Sequence, residues 1–242
     1  MKGNTMKKYE LIESDKVTPR GMPLFQVVAL RDFGLVKTGD KGGYIESEAN
    51  LSHNGDCWVY GNAWVGDTAQ VCDNARVCDN ARVSDNARVS GDAWVYGTAR
   101  VSGDARVSGD ARVSGTAEVD GNALVFDDAW VYDNARVYGT AWVYGTAQVC
   151  DNARVSDNAR VYDDAWVYGT AWVYDNARIF RDTQITAGYA FATKNDHWDI
   201  TEVDNGNGTS TLYADAVFEP VELKPCHGGQ TGKFCSECGE KL

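Results

Sequence analysis

Residues 99–116 read ARVSGDARVSGDARVSGT, three copies of a six-residue unit, and that unit decides the fold. In Ala105-Arg106-Val107-Ser108-Gly109-Asp110 the first four residues alternate, so Ala105 and Val107 share one face and Arg106 and Ser108 the other. Alternation with period two marks a short strand with one buried side. Gly109 and Asp110 are turn formers, because Gly takes positive φ without steric cost and Asp tolerates it better than most residues. Outward from this stretch, an aliphatic residue recurs at every sixth position from Val59 to Ile185, giving 22 consecutive hexapeptides. A small residue stands two positions before each, beginning with Cys57, continuing as Ala63 through Ala177, and ending at Thr183. Strands this short have no stability alone, so each must pair with its counterpart in the next coil of a solenoid filled by Val and Ala.

These hexapeptides resemble those of the hexapeptide-repeat family, whose units build a left-handed parallel β-helix with three hexapeptides per coil. The fold class this implies is all-β: a single-stranded left-handed parallel β-helix of about seven coils, with β caps and a small C-terminal zinc knuckle. At about 4.8 Å per coil the prism is roughly 34 Å long. Handedness comes from the resemblance, since the general crossover preference is right-handed. The pattern extends upstream through Ile45-Glu46-Ser47-Glu48-Ala49-Asn50-Leu51 before a two-residue slip at His53-Asn54. Residues 29–60, ALRDFGLVKTGDKGGYIESEANLSHNGDCWVY, are similar to the start of YdcK-like hexapeptide proteins, a bacterial group with prophage-encoded relatives that carries a transferase label. An open solenoid end exposes apolar rungs and strand edges, so caps are expected. The expected organisation is an N-terminal β cap over 1–44, the β-helix over 45–186, a β-hairpin cap over 187–219, and a linker with a zinc-ribbon-like tail over 220–242.

Composition agrees with a folded chain. Hydrophobic residues make up 43% of the 242, enough for a core, and 25 Gly against 4 Pro exclude collagen. The formal charge of −12 argues against a nucleic-acid partner, which would call for accumulated Lys and Arg. The N-terminal stretch lacks the apolar run of a signal peptide, and no apolar stretch is long enough to span a bilayer, so a cytoplasmic location without membrane contact is expected.

Stacking at an 18-residue period turns the chain into three outward faces. The first carries Trp58, Arg76, Trp94, Arg112, Trp130, Gln148 and Trp166 before the Val column, and Tyr60, Cys78, Tyr96, Ser114, Tyr132, Cys150 and Tyr168 after it. Between Lys41 and Lys194 every cation is Arg, whose flat guanidinium stacks on rings of neighbouring rungs. Such stacks can be purely structural. As an exposed stripe, Trp58, Trp94, Trp130 and Trp166, with Tyr60, Tyr96, Tyr132, Tyr168, Arg76 and Arg112, form a candidate interaction surface for another protein, a second copy of the chain, or a flat glycan. Cys57 sits in the inward column; Cys72, Cys78 and Cys150 face outward as free thiols.

Acyltransferases of the family use a His as general base, yet no His lies between Cys57 and Ile185, and no loop interrupts the coils. His53 and His197 flank the solenoid at opposite ends. The pairs Asp127-Asp128 and Asp163-Asp164 occupy turn positions, which is enough to explain them. No catalytic residue is assigned. At the C-terminus Cys235-Ser236-Glu237-Cys238-Gly239 resembles the second knuckle of a zinc ribbon, with Cys226 and His227 as further candidate ligands of a Cys3His zinc site. A redox CxxC is the rival, although no thioredoxin-like pattern surrounds it. The expected function is a non-catalytic binding or scaffold solenoid, with a hexapeptide-type acyltransferase using CoA thioesters as first alternative and glycan binding as second.

Overall fold

The computed structural model describes residues 7–181, 183–195, 198–204, 210–214 and 217–222. Their body is a parallel β-solenoid in which nearly every hexapeptide contributes a two-residue strand, the polar residue out and Val in, as in Arg112–Val113. Strand partners lie 18 residues apart: Trp94 pairs with Arg76 on one side and Arg112 on the other. One ladder of eight strands runs from Trp58–Val59 to Gln184–Ile185, a second of seven runs from Gln70–Val71 to Arg178–Ile179, and a third holds Trp64–Val65 through Trp172–Tyr174. Hydrogen bonding passes from coil to coil. The Trp94 N–H donates to the Ala111 carbonyl at 2.9 Å, that of Tyr96 to Val113 at 2.9 Å, and that of Thr98 to Gly115 at 2.8 Å.

The interior is apolar. Every Val of the column from Val59 to Val173 is at most 1% exposed, and the Ala column from Ala63 to Ala177 is fully buried. Each buried Val is worth about 1.5 to 3 kcal/mol relative to solvent exposure, which is what holds strands of two residues in place. At the corners the first turn residue takes left-handed φ whether it is Gly, as at Gly109 (69°), or Asp, as at Asp127 (58°). Asp does more there than tolerate the angle. Its carboxylate accepts the N–H of the equivalent residue one coil later, Asp79 from Gly97 at 3.0 Å and Asp151 from Gly169 at 3.0 Å.

There are about eight coils, not the seven that the uninterrupted hexapeptides imply. Ile45 pairs with Val65, and Leu51 bridges to Val71, each across 20 residues rather than 18, so these two rungs begin an additional coil. The two surplus residues fall in the slip around His53-Asn54. Buried Asn50, in a single 3-10 turn (Glu48–Asn50), holds the slip by donating from Nδ2 to the carbonyls of Asp67 (3.0 Å) and Ala69 (2.9 Å).

Three longer strands close the N-terminal end: β1 (Tyr9–Val17), β2 (Pro23–Ala29) and β3 (Lys41–Ile45). The pairs β1–β2 and β2–β3 are antiparallel, and β3 then joins the solenoid in parallel through Tyr44–Trp64 and Ile45–Val65. Arg20, in the β1–β2 turn, reaches the corners of two coils, pairing with Asp67 at 3.0 Å and Asp85 at 3.1 Å. At the other end Tyr189–Asn195 pairs with Trp172–Tyr174, and Trp198–Asp204, Ser210–Ala214 and Val217–Glu222 follow as antiparallel neighbours. The last of these runs into the segment expected as linker. It is the outer strand of its sheet, and its pairing with Ser210–Ala214 shifts register between Leu212 and Ala214. Among the described residues no helix is long and apolar enough to cross a membrane.

Candidate functional site

The first face does not present a uniform aromatic stripe. Trp58 is 1% exposed because the N-terminal segment covers it: Phe33, between β2 and β3, meets its ring edge-on at 5.2 Å and Tyr9, at the start of β1, at 6.1 Å. It is therefore a core residue of the cap, which corrects the expectation of an exposed position. Trp94 is the exposed member, at 40%. The guanidinium groups of Arg76 and Arg112, from the rungs on either side, lie 5.1 and 6.0 Å from its ring, and Tyr96 touches it edge-on. Trp130 and Trp166 are half-buried and lean back over the preceding coil. The Trp130 Nε1–H donates to Ser114 Oγ at 3.3 Å and that of Trp166 to Cys150 Sγ at 3.3 Å, while Tyr132 and Tyr168 tilt against them at 4.6 and 4.8 Å.

That lean buries what it covers. Cys150 lies on the outward side of its strand yet is 3% exposed beneath Trp166, so it is not a solvent-facing thiol. Cys78 is half-buried, and burial, with the Asp79 carboxylate adding to it and Arg76 opposing, pushes its thiol up to about 11. Burial likewise raises Cys72, against the opposing charge of Arg88. Both remain protonated and poorly nucleophilic near neutral pH. Trp94→Ala should cost about 1 to 2 kcal/mol, the value of two cation–π contacts at an exposed ring, and Trp130→Ala should cost more because it uncovers Ser114. Thermal melts of the two single variants check the order.

The third face holds a feature that the sequence reasoning missed. Phe126, Tyr144, Tyr162 and Phe180 stack ring on ring, with centroids 4.9, 5.0 and 5.4 Å apart and planes within 15° of parallel. The signal was present in the position after each Val, once that column is read at an 18-residue spacing. Beside the stack Arg160 lies 4.6 Å over Trp142. On the second face Glu118 sits between Arg100 (3.7 Å) and Arg136 (3.4 Å), and Arg154 lies over Trp172 at 5.8 Å.

Two open grooves flank the corner between the third and first faces. One, of about 380 Å³, is lined by Asn74, Arg76, Asp92, Trp94, Asp110, Arg112 and Asp128. The other, of about 830 Å³, follows the corner itself past Asp110, Asp127, Asp128, Asp163 and Asp164 to Arg181. Asp127 and Asp163 take the positive φ of first turn residues, in keeping with a turn role. Trp94 thus stands where a row of carboxylates meets a pair of guanidinium groups.

A model of the YdcK β-solenoid repeat matches residues 69–83, 81–97, 99–115, 129–145, 147–159 and 153–169. The matched stretches of the solenoid are similar to YdcK-type β-solenoid repeats. A curated protein of Escherichia coli (strain K12), described as "Uncharacterized acetyltransferase YdcK", is 36% identical over 62 residues, covering 23% of this chain and 19% of its own length. The match thus spans about a fifth of that relative, and the acetyltransferase description is that protein's.

His53 sits at the slip with both ring nitrogens engaged. Nδ1 accepts the Lys8 backbone N–H at 3.1 Å, which leaves the proton on Nε2, and Nε2 donates to Glu48 at 2.8 Å. The ring also stacks on Tyr9 at 4.3 Å. His53 is the one histidine among the described residues; His197 lies outside them. The candidate zinc ligands Cys226, His227, Cys235 and Cys238 also lie outside them. Among the described residues no group of three or more His, Cys, Asp or Glu side chains is placed to hold a metal ion.

Proposed function

We propose that the chain is a non-catalytic scaffold whose solenoid presents the Trp94 groove to a macromolecular partner. The observation that carries this is His53: a general base needs a free lone pair within reach of the acceptor, and both nitrogens of this imidazole are committed inside the cap. The walls offer Arg, Trp, Tyr and Asp instead, which is a surface for recognition. The faces of the Trp94 indole are flanked by Arg76 and Arg112, so a sugar ring finds no open platform there. A protein surface carrying both charge signs matches the juxtaposed Asp and Arg rows better, by charge complementarity.

A pull-down from the native host with wild-type protein and the Trp94→Ala variant tests the proposal. The expected result is a protein partner lost with Trp94→Ala while the variant remains folded. A second reading, an acyltransferase, is favoured by the description of the E. coli relative. Turnover of acetyl-CoA by purified protein, abolished by His53→Ala or His197→Ala, would overturn the scaffold proposal. In the same proposal Cys226, His227, Cys235 and Cys238 hold one zinc ion that stiffens the tail for a further macromolecular contact. Metal analysis of protein purified without added zinc should find about one ion per chain, lost when Cys235 and Cys238 are both changed to Ser.

A further inference from the structure

The inward small-residue column is Ala from Ala63 to Ala177, with Thr183 at its end, and its first position is Cys57. Cys57 is also the rung that the N-terminal segment touches. Lys8, fully buried, extends its amine to the Cys57 carbonyl at 2.8 Å, to the Gly55 carbonyl at 3.3 Å and to Cys57 Sγ at 3.2 Å. A buried lysine set against a buried thiol, 49 residues away in sequence, is uncommon, since Lys is almost never fully buried unless paired. Among the described residues no carboxylate hydrogen-bonds to this amine, and it lies over the Phe33 ring at 4.9 Å. Burial lowers the Lys8 ammonium, against the opposing influence of Cys57 and Asp56.

We propose that Lys8 and Cys57 are an oxidation-dependent crosslinking site, closing to an N–O–S bridge that fastens the N-terminal strand to the first coil. The co-reactant is dioxygen, which is small and apolar enough to reach a buried pair. The S–H bond, one N–H bond and the O–O bond break; an S–O bond, an O–N bond and two O–H bonds form. Sulfur and nitrogen each give up two electrons, and dioxygen takes all four, ending as the bridging oxygen and one water. Amine and sulfur already stand at contact distance, so inserting one oxygen needs only a small closing movement of the flexible Lys8 chain. A direct S–N bond would need a larger one, which a close-packed site resists.

The test uses the full-length protein kept under air or under argon with reductant, then digested without reductant. The expected product after air is a peptide joining the Lys8 and Cys57 segments, heavier than the sum of its parts by about 14 Da, one oxygen gained and two hydrogens lost. Trypsin should no longer cut after Lys8, and dithiothreitol should restore both cleavage and mass. Cys57→Ala, which restores the residue of the column, and Lys8→Arg should each abolish the joined peptide. Recovery of Cys57 after air as free thiol, sulfinic acid or disulfide with Lys8 unmodified overturns the proposal. So does a Lys8–Cys57 link about 2 Da lighter than the sum, which is a direct S–N bond. Because wild-type protein carries the decisive measurement, a variant that fails to fold leaves the proposal open to refutation.

Discussion

Changing Val113 to Asp is expected to unfold the middle of the solenoid, at a cost above about 4 kcal/mol. Val113 is fully buried, and its strand pairs with the Trp94–Val95 and Trp130–Val131 rungs. Removing it forfeits about 1.5 to 3 kcal/mol of apolar burial. The introduced carboxyl, even protonated, then costs roughly 2 kcal/mol or more, because the inward side chains of the described coils on either side are Val and Ala. The effect has a particular shape. Coils contact only their neighbours, so stability is close to a sum of coil and interface terms. A lesion at Val113 should therefore split one cooperative transition into two, each half melting alone, whereas Val113→Ala, at about 2 kcal/mol, should shift one transition downward. Thermal circular dichroism resolves the two behaviours, and hydrogen exchange would place the loss of protection around residues 95–131. A single unshifted transition for Val113→Asp would mean that the column is not the source of stability.

Much of this was legible from periodicity, for a physical reason. In a solenoid each residue's environment is set by its place in the repeat, so Val113, Ala111 and Gly115 reveal burial and turn conformation without knowledge of distant contacts. The two-residue slip was legible too, as partner spacing of 20 at Ile45 and Leu51 shows. Unbroken hexapeptides give about seven coils because the two surplus residues at the slip take Ile45 and Leu51 out of the six-residue period. What periodicity does not carry is any contact made by a non-repeating segment. Trp58 occupies the same column position as Trp94, yet Tyr9 and Phe33 bury one while the other stays exposed. The same holds for Cys57 and Lys8, whose pairing depends on how the cap docks. Cys150 was misjudged for a third reason: facing outward from a strand does not imply exposure when an indole from the next coil lies across it.

The same division between repeat and cap separates two glycines, and Gly55→Ala is expected to be the more damaging by a wide margin. Both Gly55 and Gly61 take positive φ, 67° and 60°. At Gly61 an added Cβ would come no closer than 3.3 Å to the Asp79 carbonyl, and Asp already fills the equivalent position one coil later. Gly61→Asp should therefore change stability by less than about 0.5 kcal/mol, since Asp tolerates this angle and can accept the next coil's N–H. At Gly55 the Cβ would overlap the Asp73 carbonyl oxygen, which is backbone and accepts the Cys57 N–H at 2.9 Å. Relieving the clash must push that carbonyl away and break its bond to Cys57. Left-handed strain adds about 1 to 2 kcal/mol, for a total of roughly 3 kcal/mol or more once the lost bond and overpacking are included. The loss should be local, because Gly55 also supplies a carbonyl to the Lys8 amine and so helps seat the N-terminal strand. Limited proteolysis should release the segment before residue 45 from Gly55→Ala while the coils from Val77 onward stay protected. Equal protease resistance in the two variants would show that the slip can yield, and that the cap does not depend on it.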